Sequence, residues 1–354
     1  MKSNLTNKGT PILLIFALAL LIFACNKESG KIPDISTSNS NAVFVLNEGV
    51  FSWSNASLSL LDLDSNKMYN NIFEQVNGAA LGDVGQSMQI RDSLAYIVMN
   101  NSGRIYCINK NTFLYRGELI GLTSPREICF TDNQKAYISD LYNTSITIFN
   151  PEDFTYSGSI NLGHSSESML FLNNKLYVLS WSFGNQLFII DTENDEVIDS
   201  VETGLQPNSM VFDKNEKLWL LCDGGYAGIP GGQQLPRLQC IDPISLEIEK
   251  DFTFSGYEWL TKKLCTNQAG DSLFFISGGI FAMSIDDSVL PQNPFIKKEN
   301  RTFYGLGIQP GTSTIYASDA RNYLQPGTLY RFTGNGKPID SFTVGMMPGD
   351  IEFR

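Results

Sequence analysis

The sequence predicts an all-β protein, a seven-bladed β-propeller whose first blade is completed by the C-terminal strand. The main observation is a short strand with an aromatic second residue, which recurs at intervals of 40 to 55 residues along the 354-residue chain. The seven copies begin at Val43-Phe44, Ala95-Tyr96, Ala136-Tyr137, Leu176-Tyr177, Leu218-Trp219, Leu273-Phe274 and Ile315-Tyr316. A period of about 40 residues, made of strand-like segments without sustained helical periodicity, is typical of propellers and not of helical repeats.

Each copy continues with the same order of strands and turns. After a variable loop comes a second strand that usually ends in Asp or Asn, and the seven second strands are residues 58–62, 105–109, 146–150, 187–191, 238–242, 282–286 and 329–333. A polar turn, a third strand and a loop that often carries Pro then lead to a fourth strand. The alternation of apolar and polar residues between Asn, Asp and Gly turns predicts strands throughout.

The two ends of the repeat predict how the ring closes. The first copy begins with its aromatic strand and lacks the strand that precedes it in the other copies, whereas the last copy ends with such a strand at residues 350–353. We expect the end of the chain to pair with its beginning, because this pairing removes the open edges that a linear array of blades would have.

The first 24 residues are typical of a secretory signal peptide. Two lysines precede an apolar run at residues 12–24, which is too short to span a bilayer. The run ends at Ala24-Cys25, which resembles the lipobox of bacterial lipoproteins, in which the Cys is lipidated; a cleaved signal with an incidental Cys is the alternative. Residues 25–41 are rich in Ser and Asn and predict a flexible tether, and residues 42–354 form the propeller. Lys27-Glu28 resembles a surface-targeting tag, so we expect a lipid-anchored outer-membrane protein that faces the cell exterior.

Composition and charge narrow the class of partner. Hydrophobic residues make up 42% of the chain and aromatic residues 12%, which predicts a packed core and not a disordered chain. The formal net charge is −12 and the sequence pI is about 4.6. Because such a surface repels phosphates, we expect neither nucleic acid nor anionic lipid as a binding partner.

The loop lengths distinguish the two faces of the predicted ring. Alternate turns of antiparallel strands lie on the same face; one face carries short polar turns, and the other carries longer loops that hold three of the four Trp residues. Exposed aromatic rings mixed with amides suit a large, flat, amide-rich or sugar-like ligand, and packing between blades is the alternative for part of the set. The candidate ligand-binding residues are Phe51, Trp53, Asn100, Asn101, Arg126, Tyr142, Asn143, Trp181, Phe183, Asn208, Tyr226, Trp259, Tyr304, Arg321 and Tyr323.

The sequence contains no recognisable catalytic motif. His164 is the single histidine, which excludes a multi-His metal site, and its position in a loop is typical of a solvated residue. Neither a nucleophile motif nor a phosphate-binding Gly-rich loop is present. We therefore expect no catalytic residue, no cofactor and no metal. The alternative is a calcium ion or a hydrolytic metal held near the axis by acidic residues. The acidic residues that could reach the axis are Asp83, Glu127, Asp140, Glu167, Asp223 and Asp319.

The cysteines other than Cys25 lie in predicted strands. They are Cys107, Cys129, Cys222, Cys240 and Cys265. Their neighbours are apolar, and in such surroundings Cys behaves as a small hydrophobic residue. Cys222 and Cys240 flank an insertion in one blade and are the pair that could form a disulfide.

Two segments resemble the YncE-like propeller lipoproteins of Gram-negative bacteria: the opening at residues 43–49 and the closing blade at residues 315–345. The resemblance spans residues 41–354 and implies a seven-bladed propeller. One branch of these proteins, the BtuG-like branch, captures cobalamin at the cell surface for a TonB-dependent outer-membrane transporter.

The function that this resemblance implies is capture of a corrinoid or a similar large nutrient, followed by hand-over to a TonB-dependent transporter, without catalysis. Two other classes stay open. One is a metal-dependent hydrolase of the lactonase or glycan-cleaving type, and the other is a scaffold that binds envelope proteins on the aromatic face. The single histidine, the lack of a catalytic motif and the aromatic-rich loops favour a binding protein over an enzyme.

Overall fold

The computed structural model describes Met1 and residues 41–354, with the exception of residues 133, 230, 259 and 260. These residues form seven antiparallel sheets. In chain order the elements are β1 (Ala42–Asn47), β2 (Ser57–Asp62), β3 (Lys67–Tyr69), α1 (Ile72–Asn77), β4 (Gly85–Arg91), β5 (Leu94–Met99), β6 (Arg104–Asn109), β7 (Tyr115–Ile120), β8 (Pro125–Phe130), β9 (Ala136–Asp140), β10 (Ser145–Asn150), β11 (Thr155–Asn161), β12 (Met169–Leu172), β13 (Lys175–Ser180), β14 (Gln186–Asp191), β15 (Glu196–Glu202), β16 (Pro207–Phe212), β17 (Leu218–Cys222), β18 (Arg237–Ile241), β19 (Ile248–Thr253), β20 (Thr261–Thr266), β21 (Ser272–Ser277), β22 (Gly279–Ser284), β23 (Phe303–Ile308), β24 (Ile315–Asp319), β25 (Pro326–Phe332), β26 (Pro338–Met346) and β27 (Pro348–Phe353).

The ring closes as the sequence predicts, which confirms the seven-bladed propeller. Strand β27 pairs antiparallel with β1, with Val43 opposite Phe353 and Val45 opposite Ile351, and the first sheet has the order β27-β1-β2-β3. The innermost strands of the seven sheets are β27, β4, β8, β12, β16, β20 and β23, and each contacts the next around the axis. The first blade therefore holds the two ends of the propeller together by hydrogen bonds.

The apolar core of the described residues is divided into seven clusters, one between each pair of neighbouring blades. The repeated aromatic residue contributes to these clusters in every blade and is at most 8% exposed. Its seven copies are Phe44, Tyr96, Tyr137, Tyr177, Trp219, Phe274 and Tyr316. Each ring is a wedge between two sheets, and its burial explains why the aromatic period is the clearest signal in the sequence.

Among the described residues one blade departs from the four-strand pattern that the sequence predicts for all seven copies, and the first blade keeps four strands but has a short outer one. Within the described residues, the sixth blade has three strands, in the order β20-β21-β22, and the segment after β22 makes one bridge, between Ile280 and Ile296. In the first blade β3 has three residues and is followed by α1, whose Ile72 and Phe73 are buried. This short helix covers the core where the outer strand is short.

The described residues contain neither a disulfide nor a helix that could cross a membrane. The five described cysteines are free, so Cys222 and Cys240 form no disulfide. No helix among the described residues is long and apolar enough to cross a membrane. The predicted lipidation site Cys25, the signal peptide and the tether before residue 41 lie outside the described residues, and so does the candidate binding residue Trp259.

Candidate functional site

A pocket of about 780 Å³ lies at the propeller axis, on the face that carries the long loops. We call it the axial pocket. Its lining residues come from the starts of six inner strands, from the residues just before β12 and from the loops around them, and they are Glu48, Val84, Gln86, Ser87, Arg126, Glu127, Leu141, Tyr142, Glu167, Trp181, Ser182, Phe183, Gln206, Asn208, Ser209, Asp223, Gly225, Tyr226, Gln233, Tyr257, Glu258, Thr261, Lys262, Lys263, Tyr304 and Asp350. A concave site with convergent charged groups is the usual form of an active or binding site.

The repeat itself delivers one polar side chain per blade to this pocket. Each inner strand has a buried apolar residue near its start: Met88, Ile128, Met169, Met210, Leu264, Leu306 and Ile351. The residue two positions earlier lines the axial pocket in six blades. These six, which we call the axial ring, are Gln86, Arg126, Glu167, Asn208, Lys262 and Tyr304. Six of the seven equivalent backbone positions therefore carry a polar or aromatic side chain, and each of these side chains is different.

The seventh position of the ring is Gly349, and a side chain from another strand takes its place. A Cβ atom on Gly349 would lie 2.4 Å from Oε1 of Glu48. Glu48 follows β1 in the sequence, and its Oε2 accepts a 2.8 Å hydrogen bond from the Tyr304 hydroxyl. Because glycine leaves this space open, Glu48 reaches the pocket and completes the ring.

The next residue along several inner strands fixes the neighbouring blade. Oε2 of Glu127 accepts a 3.1 Å hydrogen bond from the Met169 backbone N–H, and Oδ2 of Asp350 accepts one of 2.8 Å from the Met88 backbone N–H. Inner strands are edge strands, so their backbone N–H groups need such partners. These two carboxylates therefore link neighbouring blades and also line the axial pocket.

An ion pair between two ring members fixes one side of the pocket. Nε and Nη2 of Arg126 donate to the two carboxylate oxygens of Glu167 at 2.6 and 2.7 Å, and Nη1 donates to Oε1 of Gln86 at 2.7 Å. The guanidinium also lies over the ring of Trp181, with Cζ 5.4 Å from the ring centroid. Burial alone would lower the pKa of Arg126, but the pairing with Glu167 outweighs it and raises that pKa.

A second polar group on this side is Asp223. Its Oδ2 accepts hydrogen bonds from Nε1 of Trp181 at 2.9 Å and from Nδ2 of Asn208 at 3.3 Å. Burial raises the pKa of Asp223, and the bond from Trp181 partly offsets that effect. Trp181 is thereby held between a cation and a carboxylate, in a fixed orientation at the wall of the pocket.

Burial moves the pKa of two groups in the pocket to about 7. The pKa of the Glu127 carboxyl is raised from 4.5 to about 7, first by burial and then by the neighbouring charge of Glu167. The pKa of the Lys262 ammonium is lowered from 10.5 to about 7 by burial, while the charge of Glu48 acts in the opposite direction. Groups with a pKa near 7 can both accept and donate protons at physiological pH, which is the requirement for acid–base catalysis.

Seven of the candidate residues chosen from the sequence line the axial pocket. They are Arg126, Tyr142, Trp181, Phe183, Asn208, Tyr226 and Tyr304. Tyr142, Phe183 and Tyr226 are each at least half exposed, and the rings of Phe183 and Tyr226 lie 6.4 Å apart. Long loops of three neighbouring blades bring these rings to the edge of the pocket, as the comparison of the two faces predicts.

The other described candidates do not line the pocket. Asn100 is buried and donates to Ser124 and Pro125, and Asn101 donates to Asp83. Phe51 and Trp53 are exposed in the first loop. Asn143 accepts a hydrogen bond from the Ser145 backbone N–H, Arg321 donates to Thr328, and Tyr323 packs edge-on against Tyr304.

The acidic candidates also divide into two sets. Glu127, Glu167 and Asp223 line the pocket. Asp83, Asp140 and Asp319 instead accept backbone N–H groups of nearby loops, which is a turn-stabilising role. Among the described residues no three His, Cys, Asp or Glu side chains are grouped closely enough to hold a metal ion. The single histidine, His164, is exposed beside Phe188 and does not line the pocket.

Reasoning from the sequence missed Glu48, Gln86, Lys262, Lys263 and Asp350. These residues are polar and carry no motif, and the search for aromatic loops passed over them. The signal that could have found them is the repeat: when the seven inner strands are aligned on their buried apolar residue, four of the five fall in the two positions before it. Glu48 lies outside this alignment, because it enters through the gap at Gly349.

Solved structures confirm the propeller fold. The chain is similar to a quinonprotein alcohol dehydrogenase-like protein from Bacteroides thetaiotaomicron (11% identity, TM-score 0.71, 90% of this chain and 78% of that one). It is also similar to a putative 6-phosphogluconolactonase from Bacteroides uniformis (13% identity, TM-score 0.64, 89% of this chain and 99% of that one). A third is the periplasmic gluconolactonase of Pseudomonas aeruginosa (11% identity, TM-score 0.66, 89% of this chain and 99% of that one). No curated protein sequence matches the chain.

These similarities correct one prediction. The expectation that the chain is not an enzyme is wrong, because propellers that superpose on most of it include proteins named as lactonases, which are enzymes. The expectation rested on the absence of a contiguous catalytic motif. In a propeller each blade contributes about one side chain to the axis, so a set of acid–base groups leaves no local motif in the sequence.

A family model supplies the remaining comparison. The model described as "Domain of unknown function (DUF5074)" matches residues 41–345. The match begins just before β1 and extends into β26, so it includes strands of all seven blades and ends before β27. The chain therefore belongs to the DUF5074 family and is a seven-bladed β-propeller.

Proposed function

We propose that the axial pocket is the active site of a hydrolase that opens a small polyhydroxylated lactone, with Glu127 as the general base. The observation that carries the proposal is the placement of Glu127. One carboxylate oxygen is fixed by the Met169 N–H at 3.1 Å, the side chain lines the pocket, and its pKa is about 7. A base in this state is half ionised at neutral pH and can take a proton from water.

The rest of the pocket fits a sugar-like lactone. Gln86, Asn208 and Ser209 supply amide and hydroxyl groups that can bond to ring hydroxyls. Arg126 and Lys263 are cations that can stabilise the negative charge on the carbonyl oxygen as it becomes tetrahedral. Structurally similar propellers that are named as gluconolactonase or putative 6-phosphogluconolactonase support this substrate class.

The reaction needs one water molecule and no other reactant. Glu127 removes a proton from water while the water oxygen attacks the lactone carbonyl carbon and the carbonyl oxygen takes the negative charge. The ring C–O bond then breaks, and the leaving alkoxide takes the proton from Glu127. The product is an open-chain hydroxy acid, which releases one proton to solvent, and the pocket cations can hold its carboxylate until it leaves.

Hydrolysis of glucono-1,5-lactone, followed by acid release in a pH-stat, tests the proposal. Glu127→Gln should lower kcat/KM by roughly 10²–10⁴-fold, the usual contribution of a positioned base. The matched control is Glu247→Gln, an exposed residue that does not line the pocket. A rate with the parent protein that does not exceed the rate with Glu127→Gln would refute the assignment.

A second candidate function, capture of a large ligand such as a corrinoid, is favoured by the exposed aromatic residues. Phe51, Trp53, Tyr142, Phe183 and Tyr226 lie on the loop face, and each is 50% to 75% exposed. Large rings left in solvent are typical of ligand-binding or partner-binding surfaces. In this proposal a lipid-anchored protein on the cell surface binds the nutrient and passes it to a TonB-dependent outer-membrane transporter.

Calorimetry with cyanocobalamin distinguishes this function from lactone hydrolysis. If the rings are anchors, Phe183→Ala should weaken binding by about 1–4 kcal/mol. His164→Ala, which removes an exposed ring outside the pocket, should leave the affinity unchanged. Absence of any heat with cyanocobalamin at micromolar protein would exclude corrinoid capture.

A further inference from the structure

The side chain of Lys262 differs from the other cations of the axial pocket. Arg126 is paired with Glu167, and Nζ of Lys263 lies 3.4 Å from Oδ1 of Asp350. Within the described part of the chain Lys262 forms no ion pair; its Nζ instead lies over the ring of Tyr304, 3.3 Å from the ring centroid. The amine is thus held on an aromatic face at the pocket wall, with no carboxylate bound to it.

Burial is the main reason that Lys262 loses its proton more easily than an ordinary lysine. Burial lowers its pKa to about 7, and the nearby charges of Lys263 and Arg126 act in the same direction, whereas Glu48 and Glu167 oppose them. About half of the Lys262 side chains are therefore neutral at pH 7, compared with about one in 2,500 for a lysine of ordinary pKa. A desolvated lysine beside other cations is the usual form of an amine nucleophile.

A proton donor and acceptor lies next to the amine. The hydroxyl of Tyr304, the ring under Lys262, donates to Glu48, and burial raises the pKa of the Glu48 carboxyl. The space that holds Glu48 exists because residue 349 is glycine. The Lys262 amine, the Tyr304 phenol and the Glu48 carboxyl thus form one cluster at the pocket. In the axial ring this cluster lies across the pocket from Arg126 and Glu167.

We propose that Lys262 is a carbonyl-binding amine, which forms an imine with the aldehyde or ketone group of a small hydroxylated ligand in the axial pocket. The ligand class follows from the amide and hydroxyl groups of the same pocket, which suit an open-chain sugar or hydroxy-keto acid. The inference goes beyond lactone hydrolysis, because it uses a different residue and a different functional group of the ligand.

The chemical step is balanced within the pocket. The Lys262 nitrogen attacks the carbonyl carbon, a C–N bond forms, and an amine proton moves to the former carbonyl oxygen to give a carbinolamine. Protonated Glu48 then donates a proton to the hydroxyl, which leaves as water. The second amine proton returns to Glu48 as the C=N bond forms. One amine and one carbonyl give one imine and one water, with no oxidation or reduction.

Reductive trapping tests this inference in the intact protein. Glyceraldehyde and sodium cyanoborohydride are added at pH 7, hydride from the borohydride reduces any imine to a stable secondary amine, and labelled peptides are quantified by mass spectrometry. Lys262 should be labelled at least about tenfold faster than exposed Lys298 in the same sample, given its larger neutral fraction. Its labelling rate should level off above pH 7, whereas the rate at Lys298 should keep rising.

Two variants complete the experiment. Lys262→Arg should abolish the fast label, while Lys214→Arg, at an exposed position outside the axial pocket, should retain it. Equal rates at Lys262 and Lys298 in the parent protein would overturn the inference, and so would a fast label that persists in Lys262→Arg. The parent measurement needs no variant, so a poorly folding Lys262→Arg does not affect the outcome. The label is read independently of lactone hydrolysis, which depends on Glu127, so that failure of one proposal is distinguishable from failure of the other.

Discussion

Replacing Glu127 by Gln is expected to stabilise the folded protein at alkaline pH, although it removes the proposed catalytic base. Burial, followed by the charge of Glu167, raises the pKa of the Glu127 carboxyl from 4.5 to about 7. At roughly 1.4 kcal/mol for each pKa unit, keeping this group ionised in the folded state costs about 3 kcal/mol. That is a large fraction of the stability of a typical domain, roughly 5–15 kcal/mol.

The direction of the pH dependence depends on whether the folded or the unfolded protein binds the Glu127 proton more tightly. The folded pKa lies above the unfolded value, so the folded state retains the proton over a wider pH range. The contribution of Glu127 to stability is fully present below about pH 4.5 and is lost as the pH rises through about 7. Gln cannot ionise, and its amide oxygen can still accept the hydrogen bond from the Met169 N–H. The variant therefore keeps the hydrogen bond to Met169 and no longer has the free-energy cost of a buried carboxylate charge.

Urea unfolding of both proteins at pH 5 and pH 8 measures the effect. The free energy of unfolding of Glu127→Gln should exceed that of the parent by less than about 1 kcal/mol at pH 5 and by about 3 kcal/mol at pH 8. Glu247→Gln, at an exposed position, should show no such pH dependence. A difference between Glu127→Gln and the parent that is the same at both pH values would show that Glu127 titrates normally, and the argument for a general base would fail with it.

Three further predictions concern closure, the ring and export. Deletion of residues 348–354 removes the partner of β1 and should abolish cooperative thermal unfolding; a truncated protein that melts like the parent would contradict closure by β27. Gly349→Val should displace Glu48, because a Cβ atom at residue 349 would lie 2.4 Å from the Glu48 carboxylate. Labelling of Lys262 by glyceraldehyde should then fall at least about threefold while the circular dichroism spectrum stays unchanged; labelling at the parent rate would argue against a role for Glu48. Cys25→Ala should move the protein from the membrane to the soluble fraction, and continued membrane association would exclude lipidation at this residue.

Most of the fold could be predicted from the sequence because its signal is local and repeated. The aromatic residue that wedges between sheets occupies the same position in every blade, and each copy is buried. The unequal ends of the repeat predicted the pairing of β27 with β1, which the structure confirms. The departures were not predictable in this way: the third strand of the sixth blade has no outer partner in the described residues, and α1 replaces part of an outer strand. Outer strands contribute little to the core, so their sequence is less constrained.

The candidate site was predicted only in part. The choice of the loop face was useful, because Tyr142, Trp181 and Phe183 do line the axial pocket. Amide residues such as Asn100 were chosen by composition, and the structure shows them bonded to neighbouring loops. The floor of the pocket was missed because polar residues at the start of a strand resemble ordinary turn residues when each blade is considered alone.

The sequence by itself therefore determined the number of blades, the closure of the ring and the face that carries the long loops. All three depend on periodicity, and periodicity is visible without coordinates. The tertiary structure alone decided that Glu48, Glu127 and Lys262 share one pocket, although they are far apart in the chain. It also decided their proton affinities, because the pKa of a side chain depends on its burial and on charges brought close by other blades. A linear sequence contains neither the burial nor the distance.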